Sequence, residues 1–142
     1  MRHEGRCLCG ACRFSATPDS LEAGVCHCSI CRKWTGGINM AVSCSDVVWN
    51  DGAPLTVYRS SDRAERAFCS LCGSNLYWHG EGDAPSVQAL ALMAFDRPED
   101  FAVTREIYVD DKLDSYALAG MKRSLTGAEL HAGSAASAER TV

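Results

Sequence analysis

Long hydrophobic runs and an excess of basic residues are both missing from this chain of 142 residues. The longest apolar stretch, 89–95, is far shorter than the roughly 20 residues that a membrane-spanning helix needs. The first residues also lack the apolar segment of a secretory signal peptide. The 14 Lys and Arg are outnumbered by 18 Asp and Glu, giving a net charge of −4, and no basic cluster would attract a phosphate backbone. We therefore expect a cytoplasmic protein that binds neither membranes nor nucleic acid.

Several common enzyme motifs are absent as well. The sequence has no nucleophile elbow, no phosphate-binding loop and no dinucleotide-binding fingerprint, and it has no heptads or solenoid repeats. Cysteine, in contrast, is abundant, with nine residues in 142. An odd number cannot all pair within one chain, and disulfides would be reduced in the cytoplasm. The cysteines therefore indicate metal ligands or a catalytic site.

Short β-rich runs separated by turn residues fill the first hundred residues, which is typical of a sandwich or an open barrel. The predicted strands are 13–16, 39–43, 47–50, 55–60, 65–68, 75–79, 87–93 and 102–109. One short helical turn is predicted at 29–34, and Asn50-Asp51-Gly52 is a hairpin signal. Residues 113–121 could form a short helix or an extended arm. The Ala/Ser-rich segment 133–142 is predicted to be flexible unless a neighbouring subunit holds it, as in a homodimer.

Two close cysteine pairs predict a structural zinc site. Cys7 and Cys9 are two residues apart, so on a strand both side chains point to the same face. Cys69 and Cys72 are followed by Gly73, which permits the tight turn of a zinc knuckle. Four thiolates saturate a tetrahedral zinc ion and leave no position for a substrate. The alternative is that these four residues, hereafter the four-cysteine cluster, are two unrelated pairs of buried or redox-active thiols.

Three further cysteines predict a second site of a different kind. Cys26, Cys28 and Cys31, hereafter the three-cysteine cluster, supply three thiolates within six residues. Three protein ligands with an open fourth position are the arrangement of a catalytic zinc. The open position could bind water or an incoming thiol and lower its pKa, so that the anion forms at neutral pH.

The spacing leaves two alternatives for the fourth ligand of the second site, an open position or a further side chain. In the alternative interpretation, Cys12, Cys44 or His27 closes the site and makes it structural. His27 lies between two ligands, so on an extended segment its side chain points away from theirs, and we predict a pocket residue rather than a ligand. The clusters would be negatively charged, and the basic residues that flank them are candidates to offset that charge: Arg6, Arg13, Arg32 and Lys33.

The order and spacing of seven cysteines resemble the glutathione-dependent formaldehyde-activating enzyme family, which includes the centromere protein V-like proteins. The matching motifs are Cys7-Leu8-Cys9-Gly10, Cys26-His27-Cys28-x-x-Cys31-Arg32-Lys33-x-x-Gly36 and Phe68-Cys69-x-x-Cys72-Gly73-Ser74. The resemblance covers roughly residues 4–120, and it implies a zinc-binding domain over 1–120 with a C-terminal tail over 121–142. The implied fold is mainly β, a tent of small stacked antiparallel sheets organised around zinc.

The resemblance also implies an activity. It implies two zinc ions per chain, one structural at Cys7, Cys9, Cys69 and Cys72, and one catalytic at Cys26, Cys28 and Cys31. The implied enzyme is a carbon–sulfur lyase that adds glutathione to formaldehyde and gives S-(hydroxymethyl)glutathione. Its expected partners are a small-molecule thiol and a small aldehyde. Two alternatives remain open: a non-catalytic zinc-stabilised interaction module, and a redox or zinc-release sensor that uses the spare thiols of Cys12 and Cys44.

Overall fold

A computed structural model of the protein describes residues 1–133, so all but the first residue of the segment 133–142, predicted to be flexible, lies outside the described residues. The strands are β1 (His3–Arg6), β2 (Arg13–Pro18), β3 (Glu22–Cys26), β4 (Asn39–Trp49), β5 (Leu55–Ser61), β6 (Ala64–Cys69), β7 (Asn75–Gly80), β8 (Gln88–Ala91), β9 (Ala102–Ile107) and β10 (Arg123–Leu125). The α-helices are α1 (Ser29–Thr35) and α2 (Gly127–Gly133), and short 3₁₀ turns occupy Leu92–Ala94, Pro98–Asp100 and Val109–Asp111. The mainly β fold class is confirmed, and so is the helical turn after Cys28.

The strands form one open, mixed sheet. Its order is β10-β9-β3-β4-β8-β7-β6-β5, and the β1–β2 pair is attached through β2 to β4. The pairings β3–β9 and β9–β10 are parallel, and the other pairings are antiparallel. The parallel pairings were not predicted, because residues distant in sequence form them. Neither helix among residues 1–133 is long and apolar enough to cross a membrane.

Strand β4 corrects the prediction of two separate strands at 39–43 and 47–50. The structure has one strand of 11 residues, whose first half pairs with β3 and β8 and whose second half pairs with β2. Asp46 lies within it at a φ of 50°, and the β2–β4 register shifts at the same place. A left-handed residue inside a strand permits a bulge, which bends the strand without ending it. The polar residues at 45–46 therefore mark a bulge and not a turn.

Other boundaries also differ from the prediction. Strand β8 ends at Ala91 and is followed by a 3₁₀ turn, whereas the prediction continued the strand to residue 93. The segment 113–121 forms turns and irregular structure, so the helical alternative is wrong. Strands β1, β3 and β10 were missed. In β1, the buried position is occupied by Gly5, whose missing side chain interrupts the alternation of apolar and polar residues. A Cβ there would lie 2.3 Å from Phe14 and from the backbone of Ala94.

The hydrophobic core has two parts, and each borders one cysteine cluster. The larger part surrounds the fully buried Leu76 and Leu90 and includes Cys7 and Cys69 of the four-cysteine cluster. Burying each of these leucines contributes about 1.5–3 kcal/mol. The smaller part includes Cys26 and Cys31 of the three-cysteine cluster.

After residue 120, β10 pairs with β9 and α2 packs next to β10. The predicted domain boundary at 120 stays a prediction.

Candidate metal centres

The four-cysteine cluster joins the loop after β1 to the turn between β6 and β7. All four Sγ atoms lie within 4.8 Å of one another. The Sγ of Cys9 is 3.5 Å from that of Cys7 and 3.8 Å from that of Cys69, a residue 60 positions away in sequence. Four sulfur atoms at this separation fit a tetrahedral zinc ion, whose bonds to sulfur are about 2.3 Å long.

Two matched glycine turns position these cysteines. Gly10 has a φ of 80° and Gly73 a φ of 79°, a region that L side chains rarely adopt. The amide of Gly10 donates to the carbonyl of Cys7 at 3.1 Å, and the amide of Gly73 donates to the carbonyl of Cys69 at 2.8 Å. The knuckle predicted after Cys69 is therefore present, and a second turn of the same kind follows Cys7.

Neutral donors surround the sulfur atoms of this cluster. The amide of Cys12 donates to the Sγ of Cys7 at 3.3 Å. The Oγ of Ser74 accepts from the amide of Leu8 at 3.0 Å and lies 3.2 Å from the Sγ of Cys72. Hydrogen bonds from the Ser74 side chain and backbone lower the pKa of Cys72 to about 5. Ser74 thus links the two halves of the cluster and favours the thiolate that a metal needs.

The three-cysteine cluster comes from one continuous segment. Cys26 ends β3, Cys28 is the N-cap of α1, and Cys31 lies in the first turn of that helix. Their Sγ atoms lie within 4.8 Å of one another, and the Sγ of Cys28 accepts a hydrogen bond from the amide of Cys31 at 3.4 Å. Cys26 and Cys31 are buried, while Cys28 is partly exposed. Within residues 1–133, no fourth Cys, His, Asp or Glu joins this group.

Cys12 and Cys44 do not reach the three-cysteine cluster. Cys12 is fully buried in the larger core, where its thiol lies beside Cys69 and Cys7. Cys44 is fully buried in β4, in the same part of the core. Burial raises the pKa of both thiols to about 12, so both behave as neutral core residues.

His27, the remaining candidate for the fourth ligand, is engaged elsewhere. Its ring is 1% exposed, and its Nε2 lies 2.9 Å from Oε1 of Glu106 in β9. The other carboxylate oxygen accepts from the Oγ of Ser124 at 2.9 Å, and the hydroxyl of Tyr116 lies 3.5 Å from Nδ1 of His27. This buried network fixes the loop between Cys26 and Cys28, and His27 is not among the residues whose ligand atoms converge there.

Two residues that hydrogen-bond to Cys31 were not predicted from the sequence. The side-chain amide of Asn39 donates to the Sγ of Cys31 at 3.5 Å, and the guanidinium of Arg66 donates to it at 3.4 Å. Arg66 is only 4% exposed. Arg66 lies 35 positions from Cys31 and Asn39 lies 8 positions from it, so the spacing within the 26–31 motif could not have indicated either contact.

Tyr108 packs beside the same cluster from the end of β9. It has a φ of 55°, an unusual value for a bulky residue, and its hydroxyl is 2.7 Å from Nε2 of His131 in α2. Burial raises the pKa of Tyr108, and the negative charges of Cys28 and Cys26 raise it further. A phenol held beside a cluster of thiolates in this way stays protonated at neutral pH.

A large open cavity borders a residue of the four-cysteine cluster and also a residue that contacts the three-cysteine cluster. Its volume is about 650 Å³, and its lining includes Cys7 of the first cluster and Asn39, which contacts the second. The polar side chains in the wall include those of Thr35, Ser74 and Asn75, and the charged pair Arg6 and Asp96 also lines it. Small-molecule sites have volumes of roughly 300–1,000 Å³, so this cavity can admit a ligand the size of a short peptide.

Comparisons of sequence identify a matching family and several relatives. The sequence profile described as glutathione-dependent formaldehyde-activating enzyme matches residues 2–111. The chain is 32% identical over 126 residues to an uncharacterized lyase of Schizosaccharomyces pombe, a match that covers 87% of this chain and 90% of the relative. It is 36% identical over 84 residues to a Halomonas elongata protein named "Putative glutathione-dependent formaldehyde-activating enzyme", covering 52% of this chain and 54% of that one.

A comparison of structures also identifies a similar protein. A crystal structure of a Rhodobacter sphaeroides protein matches with a TM-score of 0.56 and 25% identity, covering 66% of this chain and 87% of that one. The profile match extends over most of the chain and includes both cysteine clusters. The relative from Schizosaccharomyces pombe matches over nearly its full length. The chain therefore belongs to the glutathione-dependent formaldehyde-activating enzyme family.

Proposed function

We propose that this protein is a zinc-dependent carbon–sulfur lyase-type enzyme that adds glutathione to formaldehyde and forms S-(hydroxymethyl)glutathione. The observation that carries the proposal is the three-cysteine cluster, in which three thiols converge without a fourth side-chain ligand from residues 1–133. The family and the names of its relatives support a lyase-type activity. We also propose that the protein acts in the cytoplasm and that each chain holds two zinc ions.

The donor set of the three-cysteine cluster fits a catalytic zinc. Three sulfur ligands within 4.8 Å of one another suit zinc better than magnesium or calcium, which prefer oxygen. A zinc ion held there would supply a fourth position at which a substrate thiol becomes a thiolate near neutral pH. Cys28 is the most exposed of the three ligands, so we propose that substrates approach from its side.

The proposed reaction conserves atoms and charge. The thiol loses its proton, its sulfur forms a bond to the aldehyde carbon, and the π electrons of the carbonyl move to oxygen. That oxygen then takes up one proton, so the sum is one thiol plus one aldehyde giving one hydroxymethyl thioether. We propose the Tyr108 hydroxyl as the proton donor, since Tyr108 packs against the part of the core that contains Cys26 and Cys31, and its hydrogen bond to His131 provides a route for replacing the proton.

The large cavity is the proposed site for the peptide part of glutathione. It offers hydroxyl and amide groups for the peptide carbonyls and amides, and its wall includes Asn39, which contacts Cys31 directly.

The four-cysteine cluster has a structural role in this proposal. Its four ligands leave no position for a substrate, and it joins segments that are 60 residues apart. A metal bound there stabilises the folded chain because the site does not exist when the chain is unfolded.

Titration calorimetry tests the proposal. Glutathione is titrated into the zinc-loaded protein in two buffers of different ionisation enthalpy, and we expect binding with release of about one proton. S-Methylglutathione, which has no thiol, should bind without proton release. The Cys28→Ser variant should release no proton when glutathione is added. Adding ¹³C-formaldehyde to the complex should then give the hydroxymethyl signal in NMR spectra. Absence of glutathione binding would contradict the assigned substrate while leaving both metal sites in place.

The sensor alternative is less well supported by the geometry. It requires spare thiols that an oxidant can reach, but Cys12 and Cys44 are both 0% exposed. The interaction-module alternative predicts that no exogenous thiol binds to the metal-loaded protein. The same titration therefore separates it from the enzyme.

A further inference from the structure

We propose that Arg66 is the buried counter-charge of the three-cysteine cluster, and that it enables this cluster to accept an anionic thiolate as a fourth ligand. The inference rests on the proposed function and adds a positioning residue to it. Arg66 acts through Cys31 and does not touch the substrate.

The first observation is that Arg66 is a buried cation without a carboxylate partner. It lies in β6 and is 4% exposed. A guanidinium cannot lose its proton in a protein, and a buried charge without compensation costs several kcal/mol. Within the described part of the chain, no Asp or Glu lies within ion-pair distance of it. Its hydrogen bonds go to the Sγ of Cys31 at 3.4 Å and to the Oγ of Ser60 at 3.1 Å.

The second observation is the charge of the site that it contacts. With a divalent ion bound, three thiolates leave the cluster with one net negative charge. The adjacent guanidinium makes the group neutral. A thiolate in the fourth position then returns the group to one negative charge, whereas without Arg66 the same step would produce two negative charges in a largely buried site. Arg66 therefore lowers the electrostatic cost of the anionic ligand that the proposed reaction requires.

The third observation is that the effect is specific to this cluster. The hydrogen-bond donors found at the four-cysteine cluster are neutral, as at Cys7 and Cys72. That cluster has all its ligands from the chain and needs no anionic addition. A basic residue near it, Arg6, is paired with Asp96 at 2.9 Å instead. The buried cation thus accompanies the cluster that has an incomplete ligand set.

The test uses the full chain with cobalt(II) in place of zinc, because cobalt–thiolate absorption reports each ligand directly. Two probes are titrated at the fourth position, 2-mercaptoethanol, which binds as an anion, and imidazole, which binds as a neutral molecule. In Arg66→Gln we expect affinity for 2-mercaptoethanol to fall about tenfold or more, the order expected for removing one nearby charge at an effective dielectric constant near 20. Affinity for imidazole should change less than twofold. Arg66→Lys, which keeps the charge, should restore most of the preference for the anion.

The outcomes are distinct. Equal losses for both probes, or no loss for either, would overturn the proposal, since a purely structural residue changes both alike. If Arg66→Gln does not fold, Arg66→Lys decides: retention of the wild-type ratio of the two affinities supports the proposal, and loss of that ratio overturns it. Failure of the proposed function has another signature, because the wild-type protein would then bind 2-mercaptoethanol in an Arg66-dependent manner but would not bind glutathione.

Discussion

The two cysteine clusters have the same donor atoms, but the chain builds them differently. The four-cysteine cluster brings together segments 60 residues apart, and neutral donors surround its sulfur atoms. The three-cysteine cluster comes from six consecutive residues, 26–31, and its Cys31 accepts hydrogen bonds from an amide and a buried guanidinium. A metal that ties together distant segments closes a long loop, and such a cross-link stabilises a fold more than one that closes a short loop, whereas a local cluster constrains little of the chain.

The surroundings of the clusters extend this difference. A site with a complete set of ligands needs turns that hold its geometry, and Gly10 and Gly73 provide them. The three-cysteine cluster instead has a cation and a phenol as neighbours, since Arg66 donates to Cys31 and Tyr108 packs against the part of the core that contains Cys26 and Cys31. The number of cysteines alone would not distinguish the two roles so clearly.

The largest expected effect comes from breaking the four-cysteine cluster with Cys69→Ser. A structural zinc site provides on the order of 10 kcal/mol, comparable to the net stability of a domain, about 5–15 kcal/mol. We expect the variant to lose one metal ion per chain and most of its cooperative folding, measured by circular dichroism and elemental analysis. The control is Cys44→Ala, which removes a fully buried cysteine outside both clusters; it should keep both metal ions and lose only about 1 kcal/mol. Wild-type stability in Cys69→Ser would show that this cluster is not structural.

Breaking the three-cysteine cluster should remove a metal ion without unfolding the protein. We expect Cys28→Ser to lose the second metal ion and all activity while its unfolding temperature stays within a few degrees of the wild-type value. The reason is that Cys26 and Cys31 are held by β3 and α1 without the metal. Metal content and thermal unfolding, measured on the same sample, check this. A variant that fails to fold would mean that both clusters are structural, and the proposed function would then be wrong.

Much of the site could be predicted from sequence because its ligands are local. The spacing of Cys26, Cys28 and Cys31 gives three convergent thiols in any extended segment that enters a helix, and the structure has that arrangement. The glycine after Cys72 likewise indicated its turn. Short-range geometry of this kind depends on few residues and is little affected by the rest of the fold.

The residues that surround the ligands could not be predicted in the same way. Arg66 is 35 positions from Cys31 and Glu106 is 79 positions from His27, and both contacts depend on the order and register of the strands. Flanking residues such as Arg6 were candidates to offset the charge of the clusters, but Arg6 pairs with Asp96. The continuity of β4 was missed for a similar reason, because pairing on both sides outweighs the local signal for a turn.

A moderate effect is expected from removing the proposed proton donor. Tyr108→Phe keeps the ring and removes the hydroxyl that bonds to His131. We expect kcat to fall about 10²-fold, a typical contribution of general acid catalysis, with metal content and the affinity for glutathione unchanged. Tyr116→Phe is the control, because its hydroxyl faces His27 rather than His131 and should affect kcat little. Equal kcat values for Tyr108→Phe and the wild type would contradict the assignment.

The smallest effect should come from the turns of the four-cysteine cluster. Gly73 has a φ of 79° and no atom within 4 Å of where a Cβ would lie, so Gly73→Ala adds backbone strain without a clash. We expect a loss of about 1 kcal/mol, measured by urea denaturation. Gly37→Ala is the matched control, because Gly37 also has open space around it but lacks a positive φ. A chelator competition adds the sharper test, since strain at Gly73 should speed the release of one metal ion and leave the other unaffected. If both ions leave faster, the two clusters are coupled through the fold and do not act independently.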